Sequence, residues 1–94
     1  MMVKWSEDAI NDLQALHDYI CRDKITIAAH EVEKILHAAE LLSQQPEIGR
    51  RGRIASTREL IVSGTPYIIP YRVKNNIIEL LRVYHCAMQW PEKI

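Results

Sequence analysis

The stretch Thr57 to Pro91, TRELIVSGTPYIIPYRVKNNIIELLRVYHCAMQWP, constrains this chain most, because it reads as three β-segments joined by two tight turns. Residues 58–62, 67–73 and 77–84 are each rich in β-branched or aromatic side chains, which predicts strands. Ser63-Gly64-Thr65-Pro66 and Lys74-Asn75-Asn76 supply the turns, and asparagine tolerates the positive φ that a tight hairpin demands. The expected arrangement is an antiparallel meander. Pro70 falls inside the middle strand and cannot donate to a ladder, so its N-side is either unpaired or set against a bulge. Tyr67, Ile69, Tyr71 and Val73 alternate along one face, a pattern that reads as core rather than as a platform for stacking bases.

The preceding half has a different period. Met2 to Trp5 is a short apolar run fit for an edge strand. Ser6 follows as an N-cap, with Glu7 and Asp8 placed to favour the positive end of a helix dipole. Ala9, Ile10, Leu13, Leu16 and Ile20 recur at helical spacing, so a helix is predicted from Ser6 to about Arg22. After the polar break Arg22-Asp23-Lys24, a second helix is predicted over 26–45, with Ala28, Val32, Ile35, Leu36, Ala39 and Leu42 along one stripe and Pro46 and Gly49 ending it. So short a linker makes the two helices antiparallel neighbours. Residues 48–53, with two glycines and three arginines, read as a loop. The predicted fold class is therefore α+β: an N-terminal antiparallel helical hairpin packed on a small, mostly antiparallel β-sheet.

Ninety-four residues make a single domain, 1–94, since a second core would not fit. No apolar run approaches the ~20 residues that span a bilayer, and MMVKWSEDA lacks the apolar block of a signal peptide. A cytoplasmic protein with no membrane partner is the expectation. Cys21 and Cys86 are too few and too far apart for a zinc site or a disulfide framework, and read as reduced, mostly buried thiols. The formal net charge is zero, but residues 1–49 hold four Lys/Arg against nine Asp/Glu, and residues 50–94 hold eight against three. That asymmetry gives the C-terminal half a face able to recruit an anionic partner, or lets the two halves attract each other.

Arginines are the first candidates for function. Guanidinium forks bind phosphate and carboxylate in bidentate fashion, which singles out Arg50, Arg51, Arg53, Arg58, Arg72 and Arg82. Arg72 and Arg82 lie on strands joined by a short turn and are expected either to face each other or to pair with Glu59 and Glu79. His85, just beyond the last strong strand position, is a candidate general acid or base, with Arg58, Arg82 and Tyr84 as the nearby groups able to stabilise a phosphate or move a second proton. His30, Glu33 and His37 share a helix face, but without an HExxH pattern they read as a solvated surface, and neither metal nor cofactor is expected. Trp90-Pro91 reads as an anchor, pinning the tail to the body or engaging a partner.

Taken together, WSEDAINDL opening the first helix, the P-x-x-G-R-x-G-R loop at Pro46, Gly49, Arg50, Gly52 and Arg53, TREL at 57–60, GTPYIIPYRV and RVYHCAMQWP resemble the RelE/ParE superfamily of type II toxin–antitoxin toxins, and more closely its ParE branch. The matching segments span essentially the whole chain. The resemblance implies a small toxin held in a hetero-oligomer by a cognate antitoxin, whose tail lays a helix along the hairpin and adds a strand to the sheet. Leu13, Leu16, Ile20, Val32 and Ile35 are then the candidate antitoxin contacts. RelE-type members are ribosome-dependent mRNA endonucleases, a metal-independent activity for which Arg58, Arg82 and His85 would be the catalytic set here. Glu59, Ile61 and Ile68 stand where such nucleases carry cations. The resemblance therefore favours a non-enzymatic ParE-like poison of DNA gyrase, with Arg50, Arg53, Arg72, Arg82, His85 and Trp90 as candidate target contacts. The ribosome and mRNA remain the alternative target, and a docking module without toxicity a third reading.

Overall fold

The computed structural model describes residues 1–86. Its elements run β1 (Met2–Trp5), α1 (Glu7–Cys21), α2 (Ile25–Leu41), β2 (Arg50–Arg51), β3 (Arg58–Ile61), β4 (Tyr67–Lys74), β5 (Ile77–Leu80) and β6 (Tyr84–His85). The strands form one mixed sheet in the order β1-β5-β4-β3-β2, with β6 also paired to β4. Only the β1–β5 pairing is parallel among the described strands. Both helices lie against one face of this sheet, the α+β layering expected. Among the described residues no helix is long and apolar enough to cross a membrane.

Ser6 joins local to tertiary structure. Its Oγ accepts from the Ala9 N–H at 3.0 Å as an N-cap, and donates to the Leu81 carbonyl at 2.9 Å. The start of α1 is thereby tied to the end of β5. The second helix stops at Leu41, four residues before the predicted end. Its last turn tightens into i→i−3 bonds, Leu42 to Ala39 at 3.2 Å and Ser43 to Glu40 at 3.1 Å. Pro46 disfavours helical backbone at Gln45, so the chain unwinds ahead of it.

The core is built from Ala9 on α1, Ile35, Ala39 and Leu42 on and after α2, and Leu60, Val62, Ile69, Tyr71, Ile78 and Leu80 from the sheet. Each fully buried Ile or Leu contributes roughly 1.5–3 kcal/mol, so these few side chains hold hairpin to sheet. Ala9, Ala28 and Ala39 are the small buried side chains of the two helices. Asn75 and Asn76, at φ 52° and 63°, form the two-residue turn between β4 and β5, with Lys74 opposite Ile77.

Residues 77–84 do not make one strand. The register pairs Tyr71 with Leu80 on β5 but Ile68 with Tyr84 on β6. Leu81, Arg82 and Val83 therefore stand against only Ile69 and Pro70, a bulge of one extra residue. Pro70 is the physical reason: its carbonyl accepts from the Leu81 N–H at 2.9 Å, but on the same side it has no N–H to return. Arg50–Arg51, expected as loop, adds a short edge strand against β3.

Candidate functional site

Alternation along the strands sorts the functional side chains onto two faces. The helix-facing side carries Leu60, Ile69, Tyr71, Ile78 and Leu80. The outer side carries Glu59, Arg72 and Glu79, with Arg50 opposite Glu59. On that outer side the cations meet carboxylates directly across the ladder. Arg50 Nε donates to Glu59 Oε1 at 3.0 Å, and Glu59 is 2% exposed. Arg72 Nε lies 3.4 Å from Glu79 Oε1, a longer and more exposed pair. Glu59 also accepts from the Arg53 N–H at 2.9 Å, so one buried carboxylate holds both an arginine side chain and the backbone of the following loop.

Arg82 is held elsewhere. Its Nε and Nη2 donate to both oxygens of Asp12 on α1, at 2.7 and 2.9 Å, and Asp12 Oδ2 also accepts from the Val83 N–H at 2.9 Å. The bulge is thus clamped onto the helix. The bidentate bond to Asp12 raises the Arg82 pKa above its already high ordinary value, so this guanidinium stays charged throughout. The same guanidinium lies 4.9 Å from the centre of the Tyr84 ring. Arg72 and Arg82 consequently do not face each other: one lies across from Glu79 and the other turns to α1. Asp12 escaped the sequence reading, though a carboxylate amid the apolar stripe of Ala9, Leu13 and Leu16 is the signal that marks it.

Arg58 also has structural work. Its Nη1 donates to the Gly49 carbonyl at 2.8 Å and to Glu47 O at 3.3 Å. Beside it the buried Tyr71 hydroxyl donates to Pro46 O at 2.8 Å and accepts from the Gly49 N–H at 3.0 Å. A Cβ at Gly49 would meet Tyr71 Cε1 and its hydroxyl oxygen at 2.6 Å, so only glycine fits this approach. Burial pushes the Tyr71 pKa up, opposed by the Gly49 N–H and Arg58.

His85 lies at the other end of the sheet. It is exposed on β6 opposite Tyr67, whose ring it meets edge-on at 5.7 Å between centroids. Arg58 is opposite Tyr71 on the far side of β4. Four residues of strand between those two anchor points amount to about 13 Å, so Arg58 and His85 do not converge on one phosphate. Tyr84 is buried, and that burial, opposed by Arg82, raises its pKa and keeps the phenol protonated at neutral pH. Trp90 lies outside the described residues.

Arg51, Arg53, Arg58 and Arg72 do come together. With Thr57, Tyr71 and the loop between β2 and β3 they line a cavity of about 680 Å³ whose lining holds no Asp or Glu among the described residues. Arg50, named among the target contacts, is instead bonded to Glu59.

On the hairpin, Leu13 and Val32 line a second cleft of about 270 Å³ with Ile10, Gln14 and His17. Leu16 and Ile20 are half-buried. Ile35 is wholly buried in the core and offers no surface to a partner, so its place among the antitoxin contacts is corrected. Ile10, 53% exposed, is the apolar side chain the sequence reading passed over in that cleft. His30, Glu33 and His37 are exposed along α2. The cysteines differ from expectation too: Cys21 is half-buried against His17, and Cys86 is exposed because it follows the last strand at the rim of the sheet.

A family model described as the ParE toxin of the type II toxin–antitoxin system parDE matches residues 3–90. The chain is 41% identical over 90 residues to the putative toxin Y4kP of Sinorhizobium fredii, covering 96% of this chain and 93% of that one. It is 35% identical over 85 residues to toxin RelE2 of Caulobacter vibrioides, covering 90% and 94%. Among solved structures, the chromosomal ParDE toxin–antitoxin system of P. aeruginosa superposes with a TM-score of 0.83 at 30% identity, covering 90% of this chain and 95% of that one. The toxin–antitoxin complex RelBE2 of Mycobacterium tuberculosis gives 0.65 at 26% identity, covering 89% and 95%.

Proposed function

This chain belongs to the ParE toxin family of type II toxin–antitoxin systems, within the RelE/ParE superfamily, and on that premise we propose that it arrests growth by binding DNA gyrase and trapping its cleaved-DNA state. The observation that carries this reading is the commitment of the nuclease-like groups to the scaffold. Arg82 is bonded to Asp12, Arg58 to the carbonyls of the 47–49 loop, and Arg58 and His85 are anchored about four residues apart on opposite sides of β4. A metal-independent nuclease needs its cations and proton-transfer groups gathered around one phosphate. The higher TM-score of the ParDE neighbour supports the same branch.

A cognate antitoxin holds the toxin in check by laying an amphipathic helix into the hairpin cleft of Ile10, Leu13 and Val32. The RelE-like alternative draws on the relative named RelE2 and the RelBE2 neighbour. A gyrase supercoiling assay run beside ribosome-programmed mRNA cleavage separates the two. Inhibited supercoiling with intact mRNA is expected. Cut mRNA with unaffected gyrase would overturn the reading.

A further inference from the structure

We propose that the cavity between the 51–57 loop and the ends of β3 and β4 binds phosphodiester groups of DNA, so that this toxin grips nucleic acid directly as well as protein. The gyrase reading decides only the choice of DNA over RNA; the phosphate chemistry stands on the cavity itself.

Two neighbouring rungs of the β2–β3 ladder carry the argument. Arg50 opposite Glu59 is complementary. Arg51 opposite Arg58 sets two guanidinium side chains directly across from each other. Like charges at that position destabilise a sheet, and among the described residues that line the cavity no carboxylate relieves them. An anionic ligand would.

The cavity is also built rather than incidental. Gly52 N–H donates to Thr57 O at 2.8 Å, Thr57 N–H to Ile54 O at 3.2 Å, and Thr57 Oγ1 to the same carbonyl at 2.6 Å. Ser56 sits at φ 64° to close the turn. A Cβ at Gly52 would collide with Thr57 Oγ1, so the loop cannot open to admit another residue there without rearranging. Glu59 holds the Arg53 backbone from the other side. Arg58 is oriented by Gly49 O, and Arg72 borders the cavity from β4, where two contacts of 3.4 Å hold it to Glu79. The cavity and the loop that carries Arg51 are thus ordered before any ligand arrives.

The chemistry of the lining selects the ligand. All four cations are arginine, whose fork matches phosphate oxygens in bidentate fashion. A nucleic-acid strand carries one permanent negative charge per nucleotide, each on a phosphodiester whose oxygens accept such a fork.

The test is fluorescence anisotropy of a labelled duplex DNA oligonucleotide with the purified chain and no gyrase present, over a salt series. Binding is expected with log K falling linearly against log salt and little sequence preference. Arg51→Ala is expected to weaken binding roughly three- to tenfold and to reduce the salt slope by about 1. Arg51→Lys restores part of the affinity, and Lys24→Ala, a cation in the helix linker, leaves it unchanged. Circular dichroism melts verify that each variant folds. No binding to duplex, or equal binding by the wild type and Arg51→Ala, overturns the proposal. So does Arg51-dependent binding that is tighter for single-stranded RNA, or equal displacement by polyglutamate at matched charge. Because gyrase is absent, a negative supercoiling assay leaves a positive DNA result standing.

Discussion

Adjacent rungs of one short ladder differ sharply: Arg50 meets the buried carboxylate of Glu59, while Arg51 meets Arg58. The same contrast runs through the molecule. Arg82 is enclosed by Asp12 and serves the fold, whereas Arg51 lines a surface cavity with no carboxylate among its described lining residues. Residue type alone does not separate these roles; the partner does. An arginine whose charge is met within the fold costs stability when its partner is removed, and one left facing a cavity costs little. Mutational stability therefore measures the difference directly.

The largest effect is expected at the clamp. Asp12→Ala leaves the Arg82 guanidinium and the Val83 N–H without their acceptor, and should cost about 3–4 kcal/mol in urea unfolding. A loss below about 1 kcal/mol would place the pair among ordinary surface salt bridges and erase the contrast. Next comes Tyr71→Phe, which strands the Gly49 N–H and Pro46 carbonyl and should cost about 2–3 kcal/mol. Faster amide exchange at Gly49 with little change on α1 would assign the loss to the 46–49 loop.

A smaller effect belongs to alkaline pH. Burial raises the pKa values of Tyr67, Tyr71 and Tyr84 above the ordinary 10.0. The folded chain therefore retains phenolic protons that the unfolded chain releases. Stability from this source is full below pH 10 and falls as pH rises from there through the higher native values. In Tyr84→Phe the fall should be shallower, as read from urea midpoints across that range. The smallest effect is expected at Arg51: alanine there should change stability by less than about 0.5 kcal/mol, while weakening DNA binding. A large stability loss at Arg51 would move it into the group that Arg82 represents.

Much of the fold was legible in local patterns. Ser6 capped its helix, the asparagine pair made its turn, and Pro70 marked the bulge, because each acts through its own backbone. The break of the last strand at Leu81–Val83 was harder to place, since it depends on which side of β4 the missing N–H points. Site geometry was least legible. Arg72 and Arg82 are close in the strand pattern, yet the bulge turns Arg82 toward a carboxylate 70 residues earlier. Ile35 carried the same hydrophobic signal as Leu13, but only packing distinguishes a core side chain from a cleft wall. The Arg51–Arg58 rung depended on a strand of two residues, too short for any periodicity to announce.

The measurement closest to the central claim is a gyrase–DNA cleavage assay with wild type, Arg51→Ala and a nuclease-set variant, His85→Ala, at matched folded concentration. Linear DNA is expected with wild type, a rightward shift of the dose curve with Arg51→Ala, and intact mRNA with all three. Linear DNA absent for all three, with mRNA cut by wild type and spared by His85→Ala, would contradict that claim.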